Sequence, residues 1–90
     1  MDFEWDPDTA DANIAKHGVS FFDATEVFGD VLSSTFEDPD SSVGEERYLI
    51  FGQTQRGTRM VVSFTERGDT VRLTSARLMT ARSRVAYEEG

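Results

Sequence analysis

The side chains in this chain that could move a proton are few, and those that could hold an anion are many. His17 is the sole histidine, which makes it the default proton-transfer group near neutral pH. Lys16 precedes it. Glu45-Glu46-Arg47 opens an apolar run, Glu66-Arg67 borders a Gly68-Asp69 turn, and Arg59, Arg72 and Arg77 stand in β-rich stretches. Every base in the second half is arginine, whose planar fork matches phosphate and carboxylate. Such a set suits metal-free cleavage of a phosphodiester. That reaction needs a base for the 2′-hydroxyl, an acid for the leaving oxygen and cations for the charge that builds on phosphorus.

Each residue also has a plainer reading. A histidine just before a helix-ending glycine commonly meets only the last carbonyls, and Lys16 there simply favours the helix end. Glu46 and Arg47 are neighbours on an expected strand and so point to opposite faces. Arg72 and Arg77 fall on opposite faces if their strand is regular, a parity that a bulge would change. Arg59 has Glu66 or Asp69 as possible partners.

Other chemistries find little support. There is no cysteine, hence no disulfide and no thiolate zinc site. Asp6, Asp8 and Asp11 lack the glycine and closing glutamate of a calcium loop, and no phosphate-loop or dinucleotide fingerprint occurs. No metal and no cofactor are expected.

The net charge of −8 is unevenly spread: residues 1–46 carry −12 and residues 47–90 carry +4. This asymmetry suggests a polyanion site or a charged partner. Direct binding to duplex DNA is not expected, because the acidic half would repel it. Ninety residues make one domain, 1–90. The start is not a signal peptide, and no apolar run approaches the ~20 residues of a membrane span. A cytoplasmic protein is expected.

The elements that must position these groups follow from local signals. Residues 2–5 alternate as an edge strand. Asp6 caps and Pro7 opens a helix that Gly18 ends, with Ala10, Ile14 and His17 on one face. Ser20 caps a second helix, with Phe21, Ala24, Val27 and Phe28 as its apolar stripe and Gly29 as its stop. Residues 31–36 and 45–52 read as strands separated by an acidic loop at 37–44. Apolar residues on both faces of 45–52 imply cover on both sides. Residues 59–66 and 70–77 form a hairpin around Gly68. Thr80 caps a last helix, 81–89, with Val85 facing inward. The class is α+β, with about four antiparallel strands and helices mainly on one face.

Several segments in this order resemble the BrnT family. They are Phe3-Glu4-Trp5-Asp6-Pro7, Lys16-His17-Gly18-Val19-Ser20-Phe21, Glu45-Glu46-Arg47, Gly57-Thr58-Arg59, Thr65-Glu66-Arg67 and Ser75-Ala76-Arg77. The resemblance implies a RelE-like ribonuclease fold and a toxin of a type II toxin–antitoxin pair that cleaves RNA and blocks translation. It also implies neutralisation by a BrnA antitoxin of ribbon-helix-helix type, with operator DNA reached only through that partner. The family's motif positions fall on Lys16, His17, Glu46, Arg47, Arg67 and Arg77; charge alone adds Arg59 and Arg72. On this reading Arg77 stabilises the transition state and Lys16, His17 or Glu46 moves protons. The chain has Asp40-Ser41-Ser42 where the family often has a His-Ser pair, and Leu78-Met79 where a further base is usual. A binding module with little or no catalysis, gripping an antitoxin and contributing to operon control, is therefore the alternative.

Overall fold

A computed structural model describes residues 1–38 and 46–89. The order is β1 (Asp2–Glu4), α1 (Pro7–His17), α2 (Phe21–Thr25), a 3-10 turn (Glu26–Gly29), β2 (Ser34–Glu37), β3 (Tyr48–Gln53), β4 (Arg59–Arg67), β5 (Thr70–Leu78) and α3 (Ala81–Glu89).

The local signals act as their chemistry dictates. The Asp6 carboxylate accepts the Thr9 N–H at 3.0 Å, Pro7 stands where no N–H is needed, and Gly18 closes α1 at φ 70°. Ser20 Oγ accepts the Asp23 N–H at 3.1 Å, and Thr80 Oγ1 accepts that of Ser83 at 3.1 Å. Gly68, at φ 61°, turns β4 into β5.

The sheet differs from the expected antiparallel set of about four strands. It has five strands in the order β1-β5-β4-β3-β2, and β1 runs parallel to β5. The sheet is therefore mixed. The partner of a three-residue strand is chosen by which main-chain edge is open once the hairpin has formed, and no pattern within residues 2–4 reports that.

One face carries the core. Phe21, Ala24 and Val27 pack with Ile50, Met60, Val62, Phe64, Leu73 and Ala76. Ring contacts run from Phe3 to Phe28 (5.1 Å), Phe28 to Phe64 (5.0 Å) and Phe64 to Tyr48 (5.6 Å), which anchors β1 to the centre. Gly52 makes this packing possible: a Cβ there would lie 2.8 Å from Val27 Cγ1.

One face assignment made from periodicity does not hold. Val85 is 53% exposed rather than inward-facing. Ile14 is largely exposed and Asn13 is the buried residue of α1. In both helices polar anchors, described below, decide the docking. The expected cover on both sides of β3 is partial: Leu49 and Phe51 stay half-buried on the face away from α2. The acidic loop falls outside the described residues from 39 onward. Among the described residues no helix is long and apolar enough to cross a membrane.

Candidate nucleic-acid interface and active site

The cross-strand register sorts the charged residues. Side chains directly opposite each other share a face. Val61 pairs with Arg77, Ser63 with Ser75, Thr65 with Arg72 and Arg67 with Thr70, whereas Met60, Val62 and Phe64 belong to the core face. The register slips between Ser63 and Phe64, so Thr74 has no partner and bulges from β5. Its hydroxyl donates to the Ser63 carbonyl at 3.1 Å. The bulge restores parity, so that Arg72 and Arg77, five positions apart, both fall on the outer face.

Arg59 and Arg67 occupy the same face through the alternation of β4. Arg59 and Arg77 are diagonal neighbours, a relationship that sets residues about 7–8 Å apart. The Asp38 N–H donates to the Arg47 carbonyl at 2.8 Å, which continues the β2–β3 ladder by one residue. Extending the β3–β4 register one place beyond Tyr48 and Phe64 sets Arg47 opposite Thr65, on the side of the sheet where Arg72 lies. The result is a strip of arginines with Ser63, Thr65 and Ser75 between them.

The arginines are not equally available. Arg72 pairs with Glu4 at 3.0 Å, and Arg59 with Glu88 at 3.2 Å rather than with Glu66 or Asp69. Both pairs are partly exposed. Arg77 forms no ion pair among the described residues and donates only to the Leu78 carbonyl, at 3.4 Å. The Oγ1 of Thr65 is buried without a hydrogen-bond partner among the described residues.

The proton-transfer candidates sit elsewhere. The Asn13 side chain donates to the Ala76 carbonyl and accepts the Ala76 N–H, at 2.9 and 3.1 Å. It thereby docks α1 against β5 beyond the end of β1. His17 is one helical turn on from Asn13 along the same helix face, half-buried, with Lys16 exposed beside it. The last turn of α1 thus borders the strand that carries Arg77. Glu46 is not brought to the arginine strip. It accepts the Tyr48 hydroxyl at 2.7 Å, and Tyr48 belongs to the core face. This hydrogen bond, with the charge of Glu46 behind it, pushes the Tyr48 phenol up to about 12.

Sequence reasoning gave no role to two residues that hold the frame. Asn13 has no pattern signal beyond a polar residue on an otherwise apolar stripe. Asp30 gathers three donors: Leu32 N–H on Oδ1 at 3.0 Å, and Gln53 N–H at 2.9 Å with the Tyr87 hydroxyl on Oδ2. Burial alone would raise its carboxyl, but these bonds outweigh burial and hold it below the ordinary value. Burial first and then the bond to Asp30 push Tyr87 up to about 12. Tyr87 to Asp30 and Glu88 to Arg59 fasten α3 across the end of the sheet. No group of three or more metal-ligating side chains occurs among the described residues.

The chain is thus a small α+β protein with arginines gathered along one sheet face. The sequence profile described as "Ribonuclease toxin, BrnT, of type II toxin-antitoxin system" matches residues 5–83. The chain belongs to that family. The crystal structure of the Brucella abortus ribonuclease toxin BrnT, solved at 1.1 Å, is similar with a TM-score of 0.68 and 23% identity. The alignment covers 89% of this chain and 97% of that one, and at this identity the likeness is one of fold. No curated protein matches the sequence.

Proposed function

We propose that the chain is a metal-independent endoribonuclease that cleaves RNA on its outer sheet face and so inhibits translation. The observation that carries this reading is the bulge at Thr74, which brings Arg72 and Arg77 into one strip with Arg59 and Arg67. Guanidinium groups along two adjacent strands can neutralise successive phosphates of a single strand. Arg77, without a carboxylate partner among the described residues, is the group assigned to the charge that builds on phosphorus.

The reaction follows from the groups available. A base takes the 2′-hydroxyl proton, the 2′-oxygen attacks phosphorus, and a 2′,3′-cyclic phosphate forms as the 5′-oxygen leaves with a proton. Lys16 and His17, in the last turn of the helix that docks on β5, are assigned the proton transfers. Arg67 is assigned to transition-state charge, and Arg47, Arg59 and Arg72 to binding. Glu46 holds Tyr48 on the other face and is given no proton-transfer step.

The fold is read as RelE-like and the chain as one cytoplasmic domain. Its partner is a BrnA-type ribbon-helix-helix antitoxin, which would supply the contacts to operator DNA. The second reading, an antitoxin-gripping module with little catalysis, gains from the engagement of Arg59 and Arg72 by Glu88 and Glu4.

The deciding experiment incubates purified protein with single-stranded RNA at low salt in the presence of EDTA. Cleavage to cyclic-phosphate ends that Arg77→Ala slows by about a hundredfold or more supports the first reading. Tight antitoxin binding with no cleavage supports the second.

A further inference from the structure

Where the arginine strip meets α3, the outer surface dips into a cavity of about 520 Å³. One wall is apolar. Val31 and Leu32 stand 95% and 68% exposed, yet their turn is pinned: Leu32 N–H to Asp30 Oδ1 and Ser33 N–H to the Asp30 carbonyl, both at 3.0 Å. Two apolar side chains held rigidly in water carry an unfavourable solvation cost that a ligand would relieve.

The other walls are polar. Ser33, Ser34, Gln53, Arg59, Tyr87 and Glu88 line them, with the Glu88 carboxylate held by Arg59. Gln53 lies opposite Arg59 in the ladder, so both side chains are on the outer face. The backbone N–H of Gln53 is used by Asp30, and its carboxamide, a donor and an acceptor side by side, makes no hydrogen bond among the described residues. The Arg59 Nε is buried without a hydrogen-bond partner among the described residues.

These walls select a class of ligand. A lone phosphate has no use for the apolar side. An aliphatic ligand would leave the Gln53 carboxamide unsatisfied. A flat heterocycle with a hydrogen-bonding edge suits both the apolar side and the Gln53 carboxamide. Arg59 is the diagonal neighbour of Arg77, so a strand whose phosphate rests at Arg77 brings an adjacent base to this cavity.

We infer that the cavity is a nucleobase subsite for the nucleotide next to the scissile phosphate. Val31 and Leu32 lie against the ring and Gln53 reads its edge. The inference rests on the ribonuclease reading and adds sequence selectivity to it: the substrate is single-stranded, because only an unpaired base can enter the cavity and present its Watson–Crick edge.

The test uses the full chain and short 2′-O-methyl oligonucleotides of each base, which cannot be cut, together with mapping of cleavage ends on ordinary RNA. The wild type is expected to bind one homopolymer roughly tenfold more tightly than the others. Gln53→Ala is expected to bring that preference below about twofold, and Leu32→Ser to weaken the preferred binding about fivefold, with both variants folded by circular dichroism. Unchanged preference and cleavage sites in both variants would overturn the subsite and leave the ribonuclease reading standing. Absence of both binding and cleavage in the wild type would remove both readings. Loss of antitoxin binding in Leu32→Ser, with RNA binding and cleavage sites intact, would overturn the subsite by making this wall a protein interface.

Discussion

The Asn13 carboxamide takes the place of a strand beside Ala76. It donates to one main-chain group and accepts from the other, and the same amide nitrogen also reaches the Val19 carbonyl at 2.9 Å. β1 stops opposite Arg72, so without Asn13 the continuing edge of β5 would lie against α1 with its amide and carbonyl unmatched.

Asn13→Ala is therefore expected to destabilise the fold by about 2–4 kcal/mol, since three bonds go and buried main-chain groups are left unpaired. Asn13→Asp cannot donate to either carbonyl and is expected to lose a similar amount. Urea denaturation followed by tryptophan fluorescence measures both, with Trp5 as the reporter. A change under about 0.5 kcal/mol in Asn13→Ala would show that the edge is satisfied by other means.

Gly52→Ala addresses packing alone. The added methyl would meet Val27 Cγ1 at 2.8 Å, Asp30 Oδ2 at 3.1 Å and Ser33 Cβ at 3.2 Å. Overpacking at such a site costs about 1–3 kcal/mol. A lowered thermal midpoint with an unchanged denaturant slope is the expected signature.

Both tyrosines of the chain are held up to about 12, Tyr48 by Glu46 and Tyr87 by burial and Asp30. Absorbance at 295 nm should change little at the pH where free tyrosine ionises, near 10, and rise only toward about 12. Each raised phenol contributes stability that is present below its unfolded value near 10 and lost as pH rises through the folded value of about 12. Asp30 acts in the opposite direction. Its lowered carboxyl contributes stability above its ordinary value of 3.8 that is lost as pH falls through the folded value. Tyr87→Phe should weaken both effects and lower stability at neutral pH by no more than about 1 kcal/mol. A normal titration of both tyrosines in the folded protein would contradict the hydrogen bonds.

Glu4 competes with RNA for Arg72 if the outer face is the substrate track. Glu4→Gln should leave stability within about 1 kcal/mol, because the ion pair is partly exposed. It should tighten binding of uncleavable RNA at low salt, and the salt dependence should steepen as one more cation becomes available. Arg72→Ala should do the reverse. Equal salt slopes in the wild type and both variants would place RNA elsewhere.

Arg77→Ala should cost about 10²–10³ in cleavage rate with little loss of stability, since its guanidinium supports only one long bond to a carbonyl. Arg77→Lys should recover part of the rate. A lysine keeps the charge but not the fork.

How much of this was legible beforehand depends on how far each determinant reaches along the chain. Asp6, Pro7 and Gly18 bound α1, Ser20 opens α2, Gly68 turns the hairpin and Thr80 starts α3, because each acts on donors or dihedrals within three or four residues. The order of family-like segments, and with it the ribonuclease-toxin family, was likewise open to reading. Tertiary structure alone decided the rest. The parallel pairing of β1 with β5 and the Asn13–Ala76 bonds join residues more than sixty positions apart. The bulge at Thr74 reversed the parity of Arg72 and Arg77. Arg59 found Glu88 instead of its near neighbours. Such outcomes depend on which edges and carboxylates remain open once the local elements have packed, a competition among distant groups that no short window of residues contains.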